Sequence, residues 1–304
     1  MTEAGRALTV EAFAKVNRNL RVLGKRRDGY HEIDTIFQTV DLTDRIDFRK
    51  RKDGRLVLTI EGANLSAGDD NLVLKAAKAL KARFGGALGA DIHLSKKIPI
   101  GGGLGGGSSN AAAALRGLSG LWNLSATDAD LHLLAAEIGS DVPFFLIGGR
   151  ARGTGRGEIL EAMPDEPEEW LVLAFPPFSL STAAVYGVFS VSALTDSAAQ
   201  TNLRSSDSGG GPDRNDLEPA AESLRGELRR LRLALADHGA TSARLSGSGS
   251  TVFGVFGDAK SARRAFKGLA GLRKEMMTTM TIVKTVSKAA FARRAMPSVR
   301  AQRG

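Results

Sequence analysis

The order of apolar and polar positions divides the chain into short elements. Residues 7–13 alternate in a way that predicts an opening strand. Residues 45–49 and 56–60 read as two strands of a hairpin, because Asp53-Gly54 between them is a strong turn signal. Over 71–84, Leu72, Leu74, Ala77 and Leu80 recur at helical spacing. A short strand over 92–94 precedes a glycine-rich stretch, and an Ala/Leu-rich helix then runs to about Leu118. Ser125 with Asp128 three residues on resembles a capping box for a helix over 128–138. Gly139 is placed to end that helix, and Val142 before Pro143 bars its continuation.

The acidic, proline-containing run 164–169 marks a composition break. Beyond it the pattern predicts a strand over 170–175, helix to about 190, helix over 216–237, strands over 242–246 and 251–256, helix over 259–270 and a strand over 278–286. That order is β-α-β-β-α-β, the ferredoxin-like split unit. Residues 198–214, with the run 208–212, are a polar low-complexity insertion expected to form a mobile loop. No fixed-period repeat is present.

Composition narrows the classes. The 304 residues are 42% hydrophobic and 25% charged, ordinary for a folded soluble chain with one or two cores. With no cysteine, disulfides, cysteine-held zinc and thiol catalysis are excluded. No run of ~20 apolar residues exists to span a membrane, and the first residues lack an apolar signal core. The expectation is a cytoplasmic protein. The net charge is +9, but Lys284, Lys288, Arg293, Arg294, Arg300 and Arg303 supply six charges at the C-terminal end with no acid among them. The basic balance is therefore mainly a tail property, and a solvated, partly frayed C-terminus is the simplest reading. Aromatic residues are only 6%, which weakens a base-stacking nucleic-acid surface.

The strongest chemical signal is the loop Gly101, Gly102, Gly103, Leu104, Gly105, Gly106, Gly107, Ser108, Ser109. Its G-x-G-x-x-G spacing alone is weak. No acid stands about 20 residues on, as a dinucleotide fold requires, and no Gly-Lys-Ser/Thr follows, as a Walker loop requires. The physics still points to phosphate. Six glycines in seven residues let backbone N–H groups close around an anion, and a helix start follows with its dipole favouring negative charge. The hydroxyls of Ser108 and Ser109 suit phosphate oxygens or magnesium. A second small-residue cluster, Ser246, Gly247, Ser248 and Gly249, lies between two predicted strands and reads as a turn or as a second clamp. Lys15 and Asp141 would not stand out on periodicity alone.

Taken together, the segments Ala14-Lys-Val-Asn17, Arg27-Asp-Gly-Tyr-His31, Asn71-Leu-Val, Pro99 through Ala111, Gly139 through Phe145 and Arg244 through Ser250 resemble the GHMP small-molecule kinase superfamily. The Asp-Gly-Tyr-His element is most similar to the branch that phosphorylates a cytidine diphosphate-linked methylerythritol in the non-mevalonate route to isoprenoid precursors. The resemblance spans residues 10–260 or so. It implies an α+β, two-lobed fold: a ribosomal-protein-like α/β half over 1–163, a ferredoxin-like half over 164–290 and a basic tail over 291–304. It also implies ATP and Mg²⁺ as cofactors, with Lys15 and Asp141 as the catalytic pair and Asn17, Tyr30, His31 and Tyr186 on the substrate. Asn71, Lys96, Pro99 and the glycine loop would hold ATP. The partner is a small molecule, with neither nucleic acid nor membrane, and the expected state is a monomer or weak homodimer. Another GHMP kinase, of mevalonate or homoserine type, remains the alternative. A basic nucleic-acid-binding protein is the alternative from a different class.

Overall fold

The computed structural model describes residues 7–195 and 214–299; the greater part of the insertion over 198–214 lies outside the described residues. Two long strands, β1 (Ala7–Lys25) and β2 (His31–Arg51), form an antiparallel hairpin. Register shifts fall at Phe13/Ala14, Asn17/Asn19 and Val22/Gly24. The opening strand is therefore far longer than the alternating run over 7–13. Its second half hides from a pattern search because Lys15 and Asn17 are buried polar residues.

The next elements are β3 (Leu56–Glu61), α1 (Leu72–Phe84), β4 (Gly89–Ser95), α2 (Gly106–Trp122), α3 (Asp128–Ile138) and α4 (Phe144–Ile147). They are followed by the short pair β5 (Arg150–Thr154) and β6 (Ile159–Ala162). The turn at Asp53-Gly54 exists, with Gly54 at φ +70°, but the expected hairpin does not. β4 lies between the two strands, antiparallel to β2 and parallel to β3. Turn chemistry fixes a local reversal, whereas pairing went to the strand that returns after α1. α2 runs to Trp122, past its expected end near Leu118, and buried Trp122 continues the face of Leu115 and Leu118. The capping box of α3 is Thr127 with Asp130, two residues beyond the expected pair.

The second sheet contains β7 (Trp170–Phe175), β8 (Ser242–Leu245), β9 (Val252–Phe256) and β10 (Thr279–Lys284), in the order β10-β7-β9-β8. Its helices are α5 (Thr182–Thr195), α6 (Glu218–Leu224), α7 (Glu227–Asp237), α8 (Ala259–Gly268) and α9 (Ala270–Glu275). The helix expected over 216–237 is two, broken at Arg225-Gly226. This is the ferredoxin-like order read from the sequence.

Along β7 the two faces part as a strand must. Val172 and Ala174 pack under the helices with Leu231, Leu235 and Ala262. Leu171 and Leu173 pack instead with Ala14, Val16 and Val40 of the long hairpin and with Phe253 and Val255. The second apolar layer fuses the lobes, and the site lies along its edge.

The C-terminal segment is a correction. α10 (Lys288–Ala295) caps the first lobe, with Phe291 buried against Phe13 at a ring-centroid distance of 5.3 Å. β11 (Ser298–Val299) then pairs with Leu8 and Thr9 of β1. The basic residues stand on the exposed face of a docked helix, one of them, Arg294, paired with Glu11 at 2.8 Å. A charge count cannot see the apolar stripe of Phe291 and Ala295 that docks it.

Candidate active site

Two clefts meet at the glycine loop. The smaller, of about 400 Å³, is lined by Asn71, Lys96, Pro99, Gly101 to Gly107 and Ser108. The larger, of about 790 Å³, holds Lys15, Asn17, Tyr30, His31, Asp141, Tyr186, Gly247 and Ser248. Gly103 and Gly105 line both.

Close backbone packing explains the glycines at the junction. Gly103 sits at φ +73°, and a Cβ there would collide with the Ser246 carbonyl and lie 3.0 Å from that of Gly249. Gly105 sits at φ +68°, and a Cβ would stand 2.6 Å from the Phe145 ring. α2 begins directly after Gly105 with no side chain capping it, so its first N–H groups face the smaller cleft. Ser108 lines that cleft, whereas Ser109 is buried behind it.

Lys15 organises the junction. Its Nζ donates to Asn17 Oδ1 at 2.6 Å and to the Gly103 carbonyl at 2.9 Å, and it lies 3.6 Å from Asp141 Oδ2. Burial pulls the ammonium below the usual lysine range, and the Asp141 carboxylate pulls the other way. Asn17 in turn donates to Thr35 Oγ1 at 2.8 Å. Asp141 reaches this point from the loop between α3 and α4, and its side chain is 34% exposed. Residues 126 apart in the chain thus share one charge pair.

The far end of the larger cleft is aromatic and cationic. His31 and Tyr186 stack at 4.6 Å and 23°. Tyr30 is 56% exposed, with the Arg156 guanidinium 5.0 Å from its ring centre. Burial, with the Asp141 charge, pushes the Tyr186 phenol up to about 12. Burial and Lys25 lower the His31 pKa. Lys25 and Arg156 also line this cleft. Sequence reasoning missed both, since a basic residue at a strand end or in a turn carries no pattern of its own.

The second small-residue loop serves the first. Ser246 Oγ and the Thr251 N–H donate to the carbonyls of Gly103 and Gly102, at 2.9 and 3.1 Å. Only Gly247 and Ser248 of its four predicted residues face the cleft. Buried Asn215 holds this loop, donating to the Leu245 and Gly247 carbonyls at 2.9 and 2.8 Å. It too was missed.

The floor of the smaller cleft is a buried ion pair. Lys96 donates to Asp44 Oδ2, and Asp44 also accepts from Lys97 N at 2.6 Å, Ile98 N at 2.8 Å and Asn110 Nδ2 at 2.8 Å. The Lys96 charge is thus matched within the protein. Asn71 caps α1, accepting from Val73 N and donating to the Ser66 carbonyl. Asp44→Ala would strand the Lys96 charge, so a stability loss of roughly 3–5 kcal/mol is expected. A urea unfolding curve superimposing on that of the parent would contradict this.

Comparisons with known proteins place the chain in a family. The GHMP kinases N terminal domain profile matches residues 71–149, and the GHMP kinases C terminal profile matches 195–271. The chain is 42% identical over 280 residues to the 4-diphosphocytidyl-2-C-methyl-D-erythritol kinase of Pelotomaculum thermopropionicum, covering 90% of this chain and 98% of that one. It is 45% identical over 286 residues to the enzyme of the same name from a Synechococcus species, covering 86% and 92%. A crystal structure of 4-(cytidine 5'-diphospho)-2C-methyl-D-erythritol kinase superposes with a TM-score of 0.72 at 33% identity, covering 90% of this chain and 98% of that one. A homoserine kinase from Cytophaga hutchinsonii shares the fold, with a TM-score of 0.69 at 17% identity, covering 96% of this chain and 97% of that one. The chain belongs to the GHMP kinases, in the group of the 4-diphosphocytidyl-2-C-methyl-D-erythritol kinases.

Proposed function

We propose that the protein transfers the γ-phosphoryl group of ATP to the C2 hydroxyl of 4-diphosphocytidyl-2-C-methyl-D-erythritol. The observation that carries this reading is the Lys15–Asp141 pair beside Gly103 and Gly105, the residues that line both clefts. The smaller cleft takes ATP, with its phosphates on the glycine loop and the start of α2. The larger takes the cytidyl substrate, with the base at His31 and Tyr186 and the diphosphate near Lys25 and Arg156.

Phosphoryl transfer asks mainly for alignment and charge neutralisation. The C2 oxygen attacks the γ-phosphorus, the bond to the β,γ-bridging oxygen breaks, and ADP leaves. The hydroxyl proton passes to Asp141. Lys15 holds the Gly103 carbonyl, Asn17 and Asp141 in one arrangement, and its charge favours the developing alkoxide.

Among the described residues no three His, Cys, Asp or Glu side chains gather as a metal cage. Mg²⁺ takes most of its ligands from phosphates and water, so Ser108, which lines the smaller cleft at the end of the loop, would help to hold it with few other protein ligands needed. When bound, it supplies charge neutralisation on the phosphates.

An ADP-release assay with the cytidyl substrate, the same phosphate without its cytidyl group, mevalonate and homoserine tests the reading. Turnover is expected with the first only; turnover of mevalonate or homoserine instead would replace it. Tyr186→Ala is expected to weaken substrate binding by ~1–3 kcal/mol, the range for base–aromatic stacking, while Tyr186→Phe retains it. A rise in the ATP Michaelis constant alone would count against that placement.

A further inference from the structure

A third groove, of about 540 Å³, runs between α10 and the helices α2, α3 and α4 and shares no lining residue with the two clefts. Its volume is in the range of small-molecule sites, ~300–1,000 Å³. On one wall stands Arg116. Its guanidinium donates to the carbonyls of Phe145, at 3.1 Å, and of Leu146, and lies 5.3 Å from the Phe291 ring. Among the described residues no carboxylate lies within ion-pair distance of it. Carbonyl acceptors satisfy N–H groups but leave the positive charge without a carboxylate partner, which carries a cost for a half-buried cation. Burial accordingly pushes its pKa down to about 10, with Asp128 the one acid that counteracts.

Lys288 brings a second cation to the groove; its backbone N–H donates to the Asp165 carboxylate at 2.9 Å, while its ammonium has no ion pair among the described residues. His132 lines it as well; its Nδ1 is engaged with the Asp128 carbonyl at 2.8 Å, which leaves Nε2 available. The Asp128 carboxylate is the single acid in the lining. Apart from Ser119 and Gly120, the remaining lining is hydrocarbon, chiefly from Leu131, Leu146, Phe291, Met296 and Pro297. Met296 is 62% exposed there. Unmatched positive charge on one side and apolar surface on the other select a ligand with both characters.

We propose that this groove is a second binding site, for a small oxyanion carrying an apolar chain, its head on Arg116 and Lys288 and its chain along Leu131, Phe291 and Met296. A planar guanidinium donates to a carboxylate or a phosphate head in the same forked manner. The head group is therefore an arm of the test.

The full chain is titrated calorimetrically with hexyl phosphate, hexanoate, inorganic phosphate and hexanol, each with and without saturating ATP. Hexyl phosphate or hexanoate is expected to bind at one site per chain, unaffected by ATP; the tighter of the two identifies the head. Inorganic phosphate and hexanol, each lacking one half of the ligand, are expected to bind at least 10-fold more weakly. Lys288→Glu is expected to weaken binding at least 10-fold, and Ala292→Trp, which fills the groove, to abolish it. Both variants should unfold at the parent's urea midpoint, because each changes an exposed position on α10. Failure of both amphiphiles to bind, binding that ATP displaces, or binding unchanged in both variants would overturn the proposal.

Discussion

Asp141→Asn is expected to lower kcat by ~10²-fold or more, the scale of a lost acid–base group, with the ATP Michaelis constant little changed. Asparagine keeps the shape and loses the proton acceptor. It also removes the negative charge 3.6 Å from Lys15 Nζ. That charge offsets the burial that already lowers the Lys15 pKa. A lysine is charged below its pKa and neutral above it, so without Asp141 the ammonium discharges at a lower pH. The alkaline limb of the residual activity should move toward neutrality, and NMR titration of the lysine side chains should show the same shift. Undiminished turnover, or a Lys15 titration that stays where it was, would remove Asp141 from the reaction.

The glycine loop predicts a comparable loss from one methyl group. Gly103→Ala places a Cβ on the Ser246 carbonyl from a left-handed backbone, so the loop must shift. The Gly103 carbonyl is also the acceptor for Lys15 Nζ and Ser246 Oγ, so the shift carries the ammonium with it. Misplacement by ~1 Å costs about 10²-fold in reactions that depend on alignment, and kcat/KM should fall on that order. Gly107→Ala is the control. Its Cβ would meet only Leu72 Cδ1, at 3.5 Å, and its backbone is not left-handed. Equal losses in the two variants would mean that the loop acts through something other than this close packing.

What could be read in the sequence follows from where the information lies. The glycine loop announces itself because its chemistry is local, and the order of elements after residue 169 follows the apolar rhythm. The long hairpin did not, because Lys15, Asn17, Thr35 and Asp44 are buried polar residues in β1 and β2. They break alternation where they serve the site and its support. Asp44 and Asn215 hold loops distant in sequence, so no spacing rule reaches them. The pairing of β2 with β4, rather than β3, is decided by packing across the sheet. Lys15 and Asp141 became legible through resemblance, since a lone lysine and a lone aspartate in loops and strands are common.

The return of α10 and β11 to the first lobe bears on how the chain is made. Val299 pairs with Leu8, and Phe291 covers Phe13, so the first sheet gains its edge strand and its lid from residues made after the whole of the second sheet. Domains generally fold in the order of synthesis. Here the N-terminal lobe must wait, incomplete, through translation of the entire other lobe. A nascent chain stalled before residue 285 would expose Phe13 and an unpaired β1 edge, the kind of surface that chaperones hold.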